Sequence, residues 1–302
     1  GWKMGEDLVY WVWLSQCFSY GSGKIGKILE LSGDAKALYQ NGEEGRRALS
    51  IFSEQDLRRM SKTSLERAEL ILEQCRDEGI RVISYADPEY PKRLREIYGP
   101  PAVLYVKGSL AGLENQLVLT VVGTREAVGY TRGITGSLCC QLARAGVVIV
   151  SGCAVGIDEY AHRGALKAGK RTIAVLGCGL DVNYPSQNRE LKEKILLSGG
   201  ALVSELPPGT KPDGKYFPTR NRLLAGLGMG VFLYHDPLYN AAGFGFHAMV
   251  GVEYMLSANW GLGLTLNGVS GSMPKQDWML LKEDERCGIT RFNLLGGLRY
   301  YF

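Results

Sequence analysis

Of its 302 residues the chain has only three histidines, and its seven cysteines (17, 75, 139, 140, 153, 178 and 287) form no C-x-x-C pair. Metal ligands at short spacing are therefore lacking, which argues against a structural metal, and unpaired cysteines suit a reduced compartment. No apolar run approaches the ~18–20 residues of a membrane-spanning helix. The N-terminus has no basic segment followed by an apolar run and a small-residue cleavage site, so a cytoplasmic location without membrane association is expected. Charge of one sign is also scarce: 35 Lys and Arg face 31 Asp and Glu, a balance too mild to specify a polyanionic partner by itself. What excess there is lies before Leu227. Neither G-x-G-x-x-G nor G-x-x-x-x-G-K-[ST] occurs, so a dinucleotide cofactor or NTP hydrolysis has little support, and no cofactor is expected.

What is present divides into three parts. Residues 1–80 carry helical periodicity broken by glycine turns: Tyr10, Trp11, Trp13, Leu14 and Phe18 form an apolar face, Ser53 with Asp56 marks a helix start, and Gly79 marks a helix end. A small helical domain fits. Residues 81–227 read as an extended Rossmann-like α/β domain. Strands are expected at Ile80–Ser84, Val103–Val106, Leu117–Val122, Val147–Val150, Arg171–Leu176 and Ala201–Val203. Helices are expected at Gly129–Ala145, Asp158–Ala168 and Gln187–Leu197. Short, continuous Val, Ile and Leu runs between helical stretches predict a mostly parallel sheet covered on both faces. Residues 228–302 read as an antiparallel β-rich tail.

Two glycine turns follow apolar strands and precede helices: Val121 to Arg125, containing Gly123 and Thr124, and Ser151 to Asp158, containing Gly152 and Gly156. Such turns leave backbone N–H groups free for an anion at the carboxyl edge of a parallel sheet. Arg125 adds a forked donor for phosphate oxygens, and Asp158 is placed to cap the following helix. A third loop, Gly177 to Pro185, shares this edge and carries Tyr184, expected to pack rather than stack. Further on, Lys211, Lys215, Tyr216, Phe217, Arg220, Asn221 and Arg222 interleave cations with rings. That pattern suits single-stranded nucleic acid, where cations follow phosphates and a ring stacks on a base. No catalytic set emerges. His162 lacks a specified nucleophile and carboxylate, and Cys153 and Cys178 read as buried apolar residues.

Taken together, these segments resemble the DNA-processing protein A family (DprA, also called Smf). The resemblance runs from about Tyr10 to Leu227. It is carried by Asp87-Pro-Glu-Tyr-Pro, Pro100-Pro-Ala-Val-Leu-Tyr-Val-Lys-Gly, Val122-Gly-Thr-Arg, Ser151-Gly-Cys-Ala-Val-Gly-Ile-Asp, Thr172-Ile-Ala-Val-Leu-Gly-Cys-Gly-Leu-Asp, Ser204-Glu and Phe217-Pro-Thr-Arg-Asn-Arg. It implies a sterile-alpha-motif-like helical domain before an extended Rossmann-like domain that binds single-stranded DNA and is not an enzyme. It further implies protection of incoming DNA in natural transformation, loading of a RecA-type recombinase, and a homodimer. On this resemblance Gly123, Thr124, Arg125, Ser151, Gly152, Gly156, Lys215, Phe217, Arg220, Asn221 and Arg222 are the expected nucleic-acid-binding residues. A Rossmann-like enzyme that processes a nucleotide phosphate is the alternative from another class.

Past Gly226 the pattern changes. Phe244 to Leu256, Trp260 to Leu266 and Phe292 to Phe302 alternate with period two and end in aromatics, resembling the closing strands of an outer-membrane β-barrel. Three or four strands cannot close a barrel whose smallest bacterial form has about eight, so a hybrid is expected: a DprA-like front joined near Leu227 to a barrel-derived tail. The sheet would then lack its usual last strands, with Met229 to Tyr234 substituting for one of them.

Overall fold

Runs of Val, Ile and Leu bounded by glycine build the centre of the molecule, and helices cover them. The computed structural model describes residues 7–32, 34–127, 129–236, 241–255, 260–273 and 287–300, with those from Met229 onward described by their backbone. First come helices α1 (Leu8–Cys17), α2 (Lys24–Ser32), α3 (Ala35–Gln40), α4 (Gly42–Ala48), α5 (Glu54–Lys62) and α6 (Leu65–Asp77). Helix α5 opens on a capping box, in which Ser53 Oγ accepts from the Asp56 amide and the Asp56 carboxylate accepts from the Ser53 amide. Helix α6 ends at Gly79, φ +63°, where the Ile80 amide donates to Cys75 O at 2.7 Å and the Gly79 amide to Arg76 O at 3.2 Å. Both orphan carbonyls are thereby satisfied, as the sequence signals predict. Trp11, Trp13 and Leu14 of α1 bury against Ala68, Ile71 and Leu72 of α6.

The sheet follows: β1 (Arg81–Ser84), α7 (Lys92–Arg95), β2 (Val103–Gly108), β3 (Val118–Gly123), α8 (Gly129–Arg144), β4 (Val148–Ser151) and α9 (Ile157–Lys167). Then come β5 (Thr172–Val175), α10 (Arg189–Leu197), β6 (Ala201–Ser204), α11 (Tyr216–Leu227), β7 (Met229–Asp236), β8 (Ala241–Met255), β9 (Trp260–Met273) and β10 (Cys287–Tyr300). Spatial order is β1-β2-β6-β5-β4-β3-β7-β8-β9-β10. Strands β6, β5, β4, β3 and β7 run parallel, and both flanks are antiparallel. The α/β, mostly parallel, Rossmann-like reading therefore holds.

Each central strand alternates its side chains between two cores. Val118, Val148, Val150, Ile173, Val175 and Val203 pack with Leu223, Leu224 and Leu227 of α11 on one face. On the other, Leu119, Val121 and Ile149 meet Cys139 and Ala143 of α8 and Ile157, Ala161 and Ala165 of α9. At about 1.5–3 kcal/mol for each fully buried aliphatic side chain, these two faces hold the sheet in place under its loops.

Three sequence expectations need correction. Asp158 does not cap α9: it already lies inside the helix, and the N-cap residue is Gly156, which has no side chain to make a cap bond. The stretch from Tyr216 to Leu227 forms a helix to which the sequence reading assigned no element. Pro218 is tolerated there because it sits in the first turn, where amides have no intrahelical acceptor, and Leu223, Leu224 and Leu227 supply a buried face. Third, β3 runs from Val118 to Gly123 and β4 from Val148 to Ser151, each one residue later than expected.

The tail joins the sheet. Strand β7 takes the slot beside β3, pairing Leu119 with Met229 and Gly123 with Leu233, so the segment Met229–Tyr234 supplies the strand that the resemblance left missing. Strands β8, β9 and β10 continue it as an antiparallel meander, with β1 and β10 as the two edges among the described residues. No helix among the described residues is long and apolar enough to cross a membrane.

Candidate functional site

Strands β3, β4 and β5 are parallel neighbours, so the loops that follow them emerge side by side. With the first turn of α11 they enclose a cleft of ≈ 180 Å³ lined by Arg125, Gly152, Ala154, Val155, Gly177, Tyr184, Gln187, Phe217 and Arg220, among others. Parallel order explains the position. Carboxyl ends meet on one edge, and α11 returns across it before β7 begins.

Close approach fixes two glycines. A Cβ on Gly152 would lie 2.6 Å from both Arg220 Nη2 and Asp158 Oδ2. Gly156 has φ +92°, and a Cβ there would lie 2.7 Å from Arg125 O. Between them Cys153 adopts φ +54°, a left-handed conformation that costs a non-glycine residue roughly 1–3 kcal/mol. The buried Asn188 holds it there, donating from Nδ2 to Cys153 O at 3.0 Å and to Ala154 O at 3.2 Å.

Beneath the loops lies a buried charge. Asp158 is buried, and burial raises its pKa; Arg220 and the amides of Ala154, Gly123 and Gly152 act against that shift. The Ala154 amide donates to Asp158 Oδ2 at 3.4 Å. Amides expected to meet an external phosphate thus converge on the protein's own carboxylate. Arg220 is buried too, with a pKa lowered by desolvation. Its Nη1 donates to Gly152 O at 3.0 Å and to Val175 O, tying α11 to the ends of β4 and β5.

The mouth of the cleft carries the accessible chemistry. Arg125 is exposed, its guanidinium 5.4 Å from the centroid of the half-buried Phe217 ring. Tyr184 stands 5.8 Å from the same ring at an interplanar angle of 41°. Phe217 is seated on Gly177, where a Cβ would meet ring atom Cδ1 at 2.9 Å. No carboxylate pairs with Arg125 among the described residues.

The other predicted residues fall into two groups. Gly123 and Thr124 are on the accessible first loop, but Ser151 is fully buried and donates from Oγ to Val121 O at 2.6 Å. Asn221 and Lys215 are exposed outside the cleft lining, and Lys215 pairs with Asp213 at 3.1 Å. Arg222 is also outside the lining and is bound to Glu205. Sequence reasoning missed Gln187, Asn188 and Glu205, whereas Val155 lies within the predicted Ser151 to Gly156 loop. Glu205 was visible in Ser204-Glu but had no readable partner, and Asn188 carries no local signal at all.

His162 is fully buried, its Nδ1 2.8 Å from Thr172 Oγ1. Since that hydroxyl donates its one proton to Ile149 O at 2.6 Å, Nδ1 carries the imidazole proton, and Nε2 is buried without a hydrogen-bond partner among the described residues. Burial lowers its pKa to about 3. The Cys153 thiol is pushed up to about 12 and the Cys178 thiol upward, both by burial.

Comparison with known proteins gives a consistent family. The family model described as DNA recombination-mediator protein A matches residues 81–238, past the point near Leu227 where the sequence resemblance ends and through β7. Protein Smf of Synechocystis is 42% identical over 169 residues, 55% of this chain and 42% of that protein. DNA processing protein DprA of Bacillus subtilis is 39% identical over 163 residues, 54% of each chain. The chain thus spans about half the length of the curated relatives it matches. The X-ray structure of DNA processing protein A from Streptococcus pneumoniae superposes with a TM-score of 0.61 at 30% identity, covering 77% of this chain and 78% of that one.

Proposed function

The chain belongs to the DNA recombination-mediator protein A family, and from that premise we propose that its cleft binds single-stranded DNA without chemistry on the strand. The observation that carries this reading is the exposed Arg125 guanidinium standing over Phe217, with Tyr184 alongside. A cation beside a ring matches a nucleotide's own pairing of phosphate and base, and tolerates any base. Gly123, Thr124, Lys215 and Asn221 extend this accessible rim. Lys215 remains available despite Asp213, because exposed ion pairs are weak. Ser151, Gly152, Gly156 and Arg220 shape the site from below. Asp158 places a carboxylate under the loop amides, which supports this reading over a nucleotide-phosphate enzyme. The buried His162 and the raised thiols of Cys153 and Cys178 equip no nucleophile.

The proposed domain organisation is a helical domain over residues 1–80, an extended Rossmann-like domain over 81–227 and a β-rich tail over 228–302. Protection of incoming DNA, hand-over to a RecA-type recombinase and homodimerisation are proposed from the family. The test is binding of an oligo-dT strand measured by fluorescence anisotropy over a salt series. Affinity should fall linearly in a log–log plot. Arg125→Ala should weaken binding and flatten the slope by about 0.7, the release expected for one single-strand phosphate contact. Phe217→Leu should cost about 1–3 kcal/mol with the slope unchanged. Tighter binding of a mononucleotide than of the oligonucleotide would overturn the reading.

A further inference from the structure

Arg222 is on the same helix as Phe217 and Arg220, but its guanidinium is engaged elsewhere. Its Nη2 donates to Glu205 Oε1 at 2.5 Å and Oε2 at 2.6 Å, with the two side chains 17% and 12% exposed. Nε and Nη1 are buried and have no hydrogen-bond partner among the described residues, so no donor of this side chain is open to a phosphate.

The same place is where the helical part meets the sheet part. Gly21, between α1 and α2, has φ +79°, and a Cβ there would lie 3.0 Å from Thr219 Cγ2 and 3.1 Å from Arg222 Nε. On its other side Gly21 O lies so near Gly99 that a Cβ on Gly99 would collide with it. The Gly21 amide also acts on Glu205, opposing with Arg222 the rise in pKa that burial causes. Tyr20 meets Tyr216 edge-on, ring centroids 5.8 Å apart. Residues 20 and 21 are therefore wedged between Gly99 and the first turns of α11, where Phe217 and Arg220 begin.

We infer that Glu205 and Arg222 are positioning residues that clamp α11 to the turn between α1 and α2, so that the seating of the helical part sets the shape of the cleft. This rests on the reading of the cleft as a DNA site. If Arg222 instead reached a phosphate, Glu205 would be its resting competitor, and the two roles differ in sign.

The experiment measures oligo-dT binding by the full chain over a salt series, with circular dichroism to confirm folding. Under the clamp, Glu205→Gln weakens binding by about tenfold, a typical size for coupling within one network, and keeps the wild-type salt slope. Arg222→Gln, which removes the charge that Glu205 faces, does the same. Tighter binding by Glu205→Gln, or a flatter slope with Arg222→Gln, would overturn the clamp. A double-mutant cycle of Gly21→Ala with Glu205→Gln in urea unfolding needs no DNA and should show non-additive midpoints; additivity rejects the clamp. If the wild type binds no oligonucleotide, the DNA reading falls while the cycle still decides whether the clamp exists.

Discussion

At φ +92° Gly156 occupies backbone that L side chains avoid, and Arg125 O leaves no room for a methyl group. Gly156→Ala should therefore lower stability by about 1–3 kcal/mol, read as a shift of the urea midpoint; an unchanged midpoint would mean that the first two loops are not locked together. His162 makes a pH-dependent contribution whose sign follows from its lowered pKa. Between the unfolded value of 6.5 and the folded value of about 3, only the unfolded state takes up the proton. Stability should thus fall as pH drops through that window, by up to about 1.4 kcal/mol per pH unit. His162→Gln should remove this slope, and a wild-type-minus-variant difference that stays constant from pH 7 to pH 4 would refute it. The glycine loops and their apolar flanks were legible in sequence because close packing demands those residue types locally. The partners of Asp158 and Arg222 were not, since Arg220 and Glu205 reach them only after the chain has folded back.

Helix α11 shows the same division at the level of an element. Its sequence reads as a basic, aromatic, proline-containing stretch, and nothing in its local periodicity separates a solvated loop from a helix. Tertiary partners settle it. Thr120 Oγ1 donates to Leu224 O at 2.6 Å and Arg93 Nη1 to Leu227 O at 3.2 Å, satisfying carbonyls that the last helical turn leaves unpaired. Thr120→Val removes one buried donor at nearly constant volume. It should cost about 1–3 kcal/mol and loosen Phe217 with the rest of the helix. Thermal unfolding checks the first effect and oligo-dT affinity the second; a stable variant with intact binding would show that Leu224 O needs no partner.

Across the whole molecule, β7 decides whether the parallel sheet is complete. It pairs with β3 along five registered positions from Leu119 to Gly123, and a Cβ on the preceding Gly228 would stand 2.8 Å from Val118 O. A chain ending at Leu227 bares β3 as a long apolar edge and should aggregate, whereas one ending at Asp236 should keep more soluble protein on size-exclusion chromatography. Equal yields from both would mean that β3 needs no cover. The sequence by itself determined the β-α alternation, the helix start at Ser53, the end of α6 at Gly79, the glycine loops and the family, because each is written in neighbouring residues. Only the tertiary structure decided that β7 fills the slot beside β3, that Asp158 takes the loop amides, and that Arg222 turns to Glu205. Those outcomes depend on groups far apart in the chain competing for the same buried partner, and that competition has no local trace.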